Sequence, residues 1–322
     1  MKYIRLKTTD PYYNLAVEEY LFHTASEDIF MLWQNEPSVI VGKNQNIYAE
    51  ADVAAAKRGG IRLCRRITGG GAVYHDLGNI NYTFISTGGA VALDFDTFTR
   101  PIRNALADMG APSTLGGRND IECLGKKVSG NAQHAAGERI LHHGTLLFDT
   151  DFSVMESVLR VDKEKLDYRA IKSCGARVAN LSGLIAEKMT VEEFISRLEE
   201  RVCRELFATP IELSECAEIE KICERNKTDA WIYSDKKSLT AYTVSRKKKY
   251  PFGLVTVQLL LEREVIRDIS ISGDFFGTQP IKELEDKLIG IKPEELSEID
   301  PAPYISGMTE KELASLLRGD CP

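Results

Sequence analysis

A chain of 322 residues with 43% hydrophobic and 28% charged residues can bury a sizeable core, as one large domain plus a smaller one, and is not disordered. Its formal net charge of −7 argues against a broad nucleic-acid-binding face, which needs a surplus of lysine and arginine. The seven cysteines, Cys64, Cys123, Cys174, Cys203, Cys216, Cys223 and Cys321, are scattered and never spaced as CxxC, which excludes a disulfide framework and a zinc site as first readings and points to a reducing compartment.

The first residues, MKYIRLKTTDPYYNL, lack the apolar run of a secretory signal, and no window reaches the length of a membrane-spanning helix. The expectation is a cytoplasmic protein with no membrane partner. Residues 10 to 24 fit a helix, with Leu15, Tyr20, Leu21 and Phe22 set against Glu18 and Glu19. Residues 28 to 42 predict two apolar strands around a turn at 35 to 37, and the Ala-rich stretch 50 to 59 predicts a helix stopped by Gly59 and Gly60. A strand at 61 to 63 leads into three glycines, and a strand resumes at 81 to 86. Residues 96 to 109 fit a helix with Phe98, Ile102, Leu106 and Met109 on one face. Residues 142 to 149 read as a strand beginning with two histidines, and 153 to 206 as mainly helical, with Thr190 and Glu193 forming a capping box. The acidic stretch 212 to 235 reads as a linker. Beyond about residue 245 the texture is that of a small α+β domain. Residues 253 to 275 predict a hairpin around Glu262, Arg263 and Glu264, Ile281, Leu284 and Leu288 suit a helix, and Thr309 with Glu312 caps another. The basic block 246 to 249, RKKK, reads as a solvated turn.

Three segments concentrate chemistry. The first is Arg65-Arg66-Ile67-Thr68-Gly69-Gly70-Gly71, in which glycines allow backbone N–H groups to converge on an anion while arginine and threonine add side-chain donors. It matches neither the nucleotide P-loop nor the dinucleotide fingerprint. The second holds Arg118, Asn119, Asp120, Lys126 and Lys127 and closes on Ser129, Gly130 and Asn131. A lysine beside glycine and serine can bridge a carboxylate and a phosphate, although a charged surface hairpin has the same composition. The third is His142-His143-Gly144-Thr145. Adjacent strand residues face opposite ways, so one histidine is expected to pack and one to hydrogen-bond, and the pair does not share a metal.

Taken in order, RRITGGGAVYHDLGNINYTF, GRNDIECLGKKVSGNAQ and HHGTLLFD closely resemble the lipoate–protein ligase family, as do MLWQNEPSVIVGKNQN near the start and ISISGDFF near the end. The resemblance spans nearly the whole chain. It implies an α+β fold: a mixed β-sheet catalytic domain of the biotin/lipoate ligase type over 1–244, including a linker near 212–244, and a small C-terminal accessory domain over 245–322. It implies ATP-dependent activation of lipoate to lipoyl-AMP, with magnesium, and transfer to a lysine of a lipoyl domain of a 2-oxoacid dehydrogenase complex or of the glycine-cleavage carrier protein, by a monomer. Lys127 matches the essential lysine. Arg66, Thr68, Gly69, Gly70, Gly71 and Asn79 match the groups around the acyl-phosphate, and Asn119 and Asp120 match a pair near the adenylate or its magnesium. Trp33 and His75 match the lining of the acyl tunnel. The rival readings are an ATP-independent acyltransferase with a cysteine nucleophile, for which Cys123 and Cys174 are the candidates, a biotin ligase, a non-catalytic binder of lipoate or nucleotide, and a nucleic-acid-binding module.

Overall fold

The computed structural model describes residues 1–88, 94–117, 119–160, 177–234, 242–296 and 299–320. Its strands are β1 (Lys2–Arg5), β2 (Ile29–Trp33), β3 (Ser38–Val41), β4 (Arg62–Arg65), β5 (Val73–His75), β6 (Asn79–Ser86), β7 (Ser113–Gly116), β8 (Asp120–Cys123), β9 (Lys126–Ala136), β10 (Arg139–Leu147), β11 (Thr209–Pro210), β12 (Val244–Tyr250), β13 (Gly253–Glu262) and β14 (Val265–Gly273). Eight form one sheet in the order β11-β1-β2-β6-β10-β9-β8-β7. β1 runs parallel to β2 and β11 and the other neighbours are antiparallel, so the sheet is mixed. β4, β3 and β5 make a second, small sheet, and β12 to β14 a third.

The central strands are apolar without alternation because both faces of the large sheet are covered. β2 is buried along its whole length. The register places Trp33 opposite Asn81, and Thr83 opposite His143, so these residues share one face. Ile29, Met31, Ile85 and Leu141 on that face pack against the helix Pro11–Thr24 and the small sheet. Phe30, Tyr82, Phe84 and Phe148 on the other face pack against the helices Phe95–Asp108 and Val191–Glu205. The first helix begins where Asp10 accepts the Tyr12 N–H at 2.8 Å and Pro11 fills the first turn. Its acidic residues are not its solvent face: Glu18 is 1% exposed and Glu19 8%.

Several expected elements need correction. The helix expected at 50–59 is two, Ile47–Glu50 and Val53–Arg58, because Ala51 bridges Leu159 and Asp52 caps a new start through the Ala55 N–H. Residues 153–206 are not mainly helical: among the described residues there are helices Phe152–Val158 and Val191–Glu205 and one turn of 3-10 helix at Leu181–Gly183, while 161–176 lie outside the described residues. The stretch read as a linker contains helices Ala217–Asn226 and Asp229–Tyr233, and their Ile219, Cys223 and Ile232 are buried in the first core. Arg225 fixes them further, donating to Glu19 at 2.7 Å and lying 3.7 Å from the centre of the Trp231 ring. The RKKK block is not a turn but most of β12, an edge strand paired to β13, where charged side chains reach solvent while the backbone bonds. The hairpin β13–β14 is as expected, with Arg263 and Glu264 at φ 50° and 65° in its two-residue turn. Both capping boxes form, at Thr190 and Thr309. No helix among the described residues is long and apolar enough to cross a membrane.

The Phe148 and Phe194 rings stack at 4.4 Å in the second core, and both side chains are buried. Phe194→Ala should cost about 3–5 kcal/mol in a urea unfolding curve, from lost burial and the cavity left behind.

Candidate functional site

A cleft opens on the Trp33–His143 face of the large sheet, under the glycine loop and β5. Lys127 reaches it through an irregularity. The β8–β9 register shifts so that Ile121 pairs Ser129 but Glu122 pairs Lys127, leaving one extra residue, Val128, in β9. Such a bulge reverses which way the following side chains point. Val128 is buried in the second core, whereas Lys127 and Gly130 share the cleft face. Lys127 Nζ lies 2.8 Å from Asp120 Oδ1. A methyl group on Gly130 would sit 3.0 Å from that Nζ, so glycine leaves the lysine its place. Lys126 is exposed and does not line the cleft. The backbone of Lys127 is fixed by Arg177 O, at 2.9 Å from its N–H, and by the Ala179 N–H at 3.0 Å from its carbonyl.

Arg66 is 5% exposed, and its guanidinium donates to Thr68 Oγ1 and to the carbonyls of Ile40, Gly69 and Gly71. Burial draws its pKa down to about 10, so it keeps its charge at neutral pH, and the Glu18 carboxylate supports that charge. Arg66 and Gly71 line the cleft. Thr68 is fully buried and lies behind the loop, 2.8 Å from His143 Nε2. Gly69 and Gly70 face the accessory domain. A methyl group on Gly69 would meet the Phe275 carbonyl oxygen at 2.5 Å and the Phe276 ring at 2.9 Å, and Gly70 has φ 87°.

Trp33 is both core and wall: it is 4% exposed, donates through Nε1 to Thr83 Oγ1 at 2.9 Å, and lines the cleft edge-on to His75. His75 Nδ1 accepts from the Asn35 amide at 3.1 Å, leaving Nε2 buried without a partner. Burial, with Arg66 and His143 nearby, lowers the His75 pKa to about 3, so the ring is neutral and Nε2 carries its hydrogen. Asn79 is fully buried and donates to Asn81 Oδ1 at 2.9 Å, and it is Asn81, with an unpartnered Nδ2, that lines the cleft. Asn119 also lines it, held to Asn131 by reciprocal amide–backbone bonds. Arg118 lies outside the described residues.

The residues missed in the sequence are Glu18, Asn81 and Thr83, and His143 was singled out without a place in the cleft. His142 and His143 do face opposite ways. His142 packs among Phe84, Phe95 and Phe98 and bonds Gln133 and Asn131. His143 bonds Glu18 and Thr68 and lines the cleft. Thr83 and Asn81 were visible only as a strand of alternating polar residues inside a buried run. A thiol nucleophile fits poorly: Cys123 is buried, does not line the cleft, and has its pKa raised by desolvation. Cys174 lies outside the described residues.

The polar-floored cleft lies on a mixed sheet, with a small second domain leaning on its glycine loop. A model of the lipoyl protein ligase A/B catalytic domain matches residues 10–203, and one of the bacterial lipoate protein ligase C-terminus matches 240–317. The lipoate-protein ligase LplJ of Bacillus subtilis is 37% identical across 96% of this chain and 97% of its own length. Lipoate–protein ligase 1 of Staphylococcus aureus is 35% identical over 96% and 97%. Among solved structures, LipL1 of P. falciparum in complex with lipoate superposes with a TM-score of 0.74 at 25% identity, covering 94% of this chain and 92% of that one. A bi-partite ligase from Thermoplasma acidophilum, studied with its E2 lipoyl domain, gives 0.62 at 26% identity over 74% and 97%. A lipoate-protein ligase A bound with ATP gives 0.61 at 25% identity over 72% and 98%. The chain belongs to the lipoate–protein ligase family and is a lipoate–protein ligase.

The neutral His75 has a direct consequence for acid stability. An unfolded chain protonates this histidine near 6.5, whereas the folded ring resists until about 3, so stability falls as pH drops through that window. His75→Gln should show a shallower loss of urea midpoint between pH 7 and 5 than the parent chain, leaving the share due to half-buried His134 and buried His142.

Proposed function

We propose that the cleft activates lipoate with ATP and passes the acyl group to a protein lysine through lipoyl-AMP. The supporting observation is the juxtaposition of Lys127 Nζ at the cleft with two unpartnered buried donors inside it, His75 Nε2 and Asn81 Nδ2. Buried donors that the protein leaves unpaired are met by water or by a ligand oxygen, and these two lie inside the cleft. The lipoate carboxylate would then lie between these donors and Lys127, and its aliphatic tail along Leu15, Trp33 and Ile40.

In the first step a carboxylate oxygen attacks the α-phosphorus and pyrophosphate leaves. Lys127 changes partner from Asp120 to the oxygens of the forming mixed anhydride, and Arg66 with the Gly69, Gly70 and Gly71 backbone balances the added charge. In the second step the neutral amine of the acceptor lysine attacks the acyl carbon, AMP leaves with the bonding electrons, and the amine proton passes to solvent or to a phosphate oxygen. The protein supplies position and charge, and no covalent enzyme intermediate is needed. Magnesium would be carried in by the nucleotide. Asp120 is the candidate carboxylate beside it, yet Asp120 is already held by Lys127, and no cluster of three metal-ligating side chains occurs among the described residues. Asn79 acts behind Asn81, and Asn119 fixes the β8–β9 wall.

The acceptors would be lipoyl domains of 2-oxoacid dehydrogenase complexes or the glycine-cleavage carrier protein, met by a monomer in a reducing cytoplasm. The lipoyl domain accompanying the Thermoplasma ligase gives that partner class its support.

The test is intact mass spectrometry of a small apo lipoyl domain incubated with the enzyme, lipoate, ATP and magnesium. The expected result is the mass of one lipoyl group, dependent on ATP, with Lys127→Ala reducing the rate by roughly 100-fold or more. Modification from an octanoyl carrier protein without ATP would overturn the reading.

A further inference from the structure

Glu18 is a carboxylate in the middle of a helix, 1% exposed and nowhere in the steps just described. A buried carboxylate persists only if its oxygens are fully engaged. It accepts from Thr83 Oγ1 at 2.7 Å, and both its oxygens lie 2.9 Å from His143 Nδ1. Thr83 Oγ1 in turn accepts from Trp33 Nε1 at 2.9 Å. On the other side, His143 Nε2 lies 2.8 Å from Thr68 Oγ1, which accepts from Arg66 Nε at 2.8 Å. Two chains of hydrogen bonds, one from the acyl wall and one from the glycine loop, therefore end on a single carboxylate.

The direction of each hydrogen follows from the ends. Arginine and the indole N–H can only donate, and a carboxylate can only accept. Thr68 has one hydroxyl hydrogen, and its shorter contact is His143 Nε2 at 2.8 Å rather than the Gly69 carbonyl at 3.4 Å. His143 Nδ1 then donates to Glu18, and its Nε2 bonds Thr68. The members share partners, Glu18 Oε1 meeting both Thr83 and His143, so replacing any one member changes what its neighbours can do.

We propose that Glu18 is a positioning residue, acting through His143 and Thr68 to hold Arg66 and the glycine loop where they meet the nucleotide, and through Thr83 to hold Trp33 at the same time. Glu18 touches no reacting atom. It is the shared terminus that sets the acyl wall and the phosphate-facing loop in one arrangement, and its charge faces Arg66 across the same buried layer. The inference rests on the ATP-dependent activation proposed above.

The experiment is lipoate-dependent exchange of labelled pyrophosphate into ATP, with thermal unfolding followed by circular dichroism. Glu18→Gln preserves shape but removes the charge and sets an amide N–H against His143 Nδ1 where Oε2 stood. It should lower the exchange rate by about tenfold or more, the scale expected when a reacting group is misplaced by a fraction of an ångström. Thr68→Val should lose a similar amount, while Thr68→Ser, which keeps the hydroxyl, should stay within about twofold of the parent. The Glu18→Gln and Thr68→Val double variant should be no slower than the worse single one, because the two act in one chain. Multiplying losses in the double variant, or parental rates for Glu18→Gln, would overturn the inference. If Glu18→Gln does not fold, the contrast at Thr68 decides alone, and equal rates for Val and Ser would overturn it. A parent enzyme without lipoate-dependent exchange would sink the activation reading itself, whereas an active parent with unaffected variants would sink only the role of Glu18.

Discussion

Two adjacent arginines leave the end of β4 in opposite directions, and neither reaches bulk water: Arg65 is 3% exposed and Arg66 5%. A guanidinium out of water is tolerable only when its donors are met. Arg65 is met by the carbonyls of Gly42, Lys43, Gln45, Trp231 and Ile232. Arg66 is met by Ile40, Thr68, Gly69 and Gly71. So many inward-turned carbonyls require chain without side chains in the way. A methyl group on Gly42 would lie 2.3 Å from the Gly70 carbonyl oxygen. The glycine loop, the exit of β3 and the helix Asp229–Tyr233 are thus all consequences of holding two charges inside. Both remain protonated at neutral pH, although burial lowers each to about 10. The two arginines fix the glycine loop from within the protein.

The large sheet divides its labour by face. On one side aromatic rings dominate, and His142 is a packing residue among Phe84, Phe95 and Phe98. On the other side the same strands present Trp33, Asn81, Thr83 and His143. Gly144 marks the crowding between β9 and β10, since a methyl group there would meet Asn131 Oδ1 at 2.1 Å and the Tyr82 ring end at 2.5 Å. The bulge at Val128 moves Lys127 from one side to the other, which a regular strand could not do without misplacing the core residues beyond it.

The order of the motifs made the fold and the main cleft residues legible, because these stretches are local. Glycines that must pass close to backbone, a lysine before Val-Ser-Gly and a strand opening with two histidines are written in neighbouring letters. What was illegible depends on distance along the chain. Glu18 and His143 are 125 residues apart, and nothing in a helix reading of Leu15 to Phe22 says that its glutamate points inward. The helices at 217–233 looked like linker because their composition is acidic, yet their apolar positions, with Arg225 and Arg65, seat them on the first core. Asn79 and Asn81 differ by one strand period, so periodicity cannot say which of the two lines the cleft and which stands behind it. RKKK read as a turn because its charge hid a backbone that an edge strand can still pair.

The contact between Gly69 and the Phe275–Phe276 pair has an implication for genetics. The accessory domain has a separate core, built on β13, β14 and the helices Ile281–Leu288 and Glu310–Arg318. That core meets the glycine loop through two aromatic residues at the end of β14. A substitution deep in the C-terminal core, such as one at Leu284 or Leu313, lies far in sequence from every group that handles substrate. It would nevertheless disturb the glycine loop, because that loop is shaped against a surface whose integrity is maintained elsewhere.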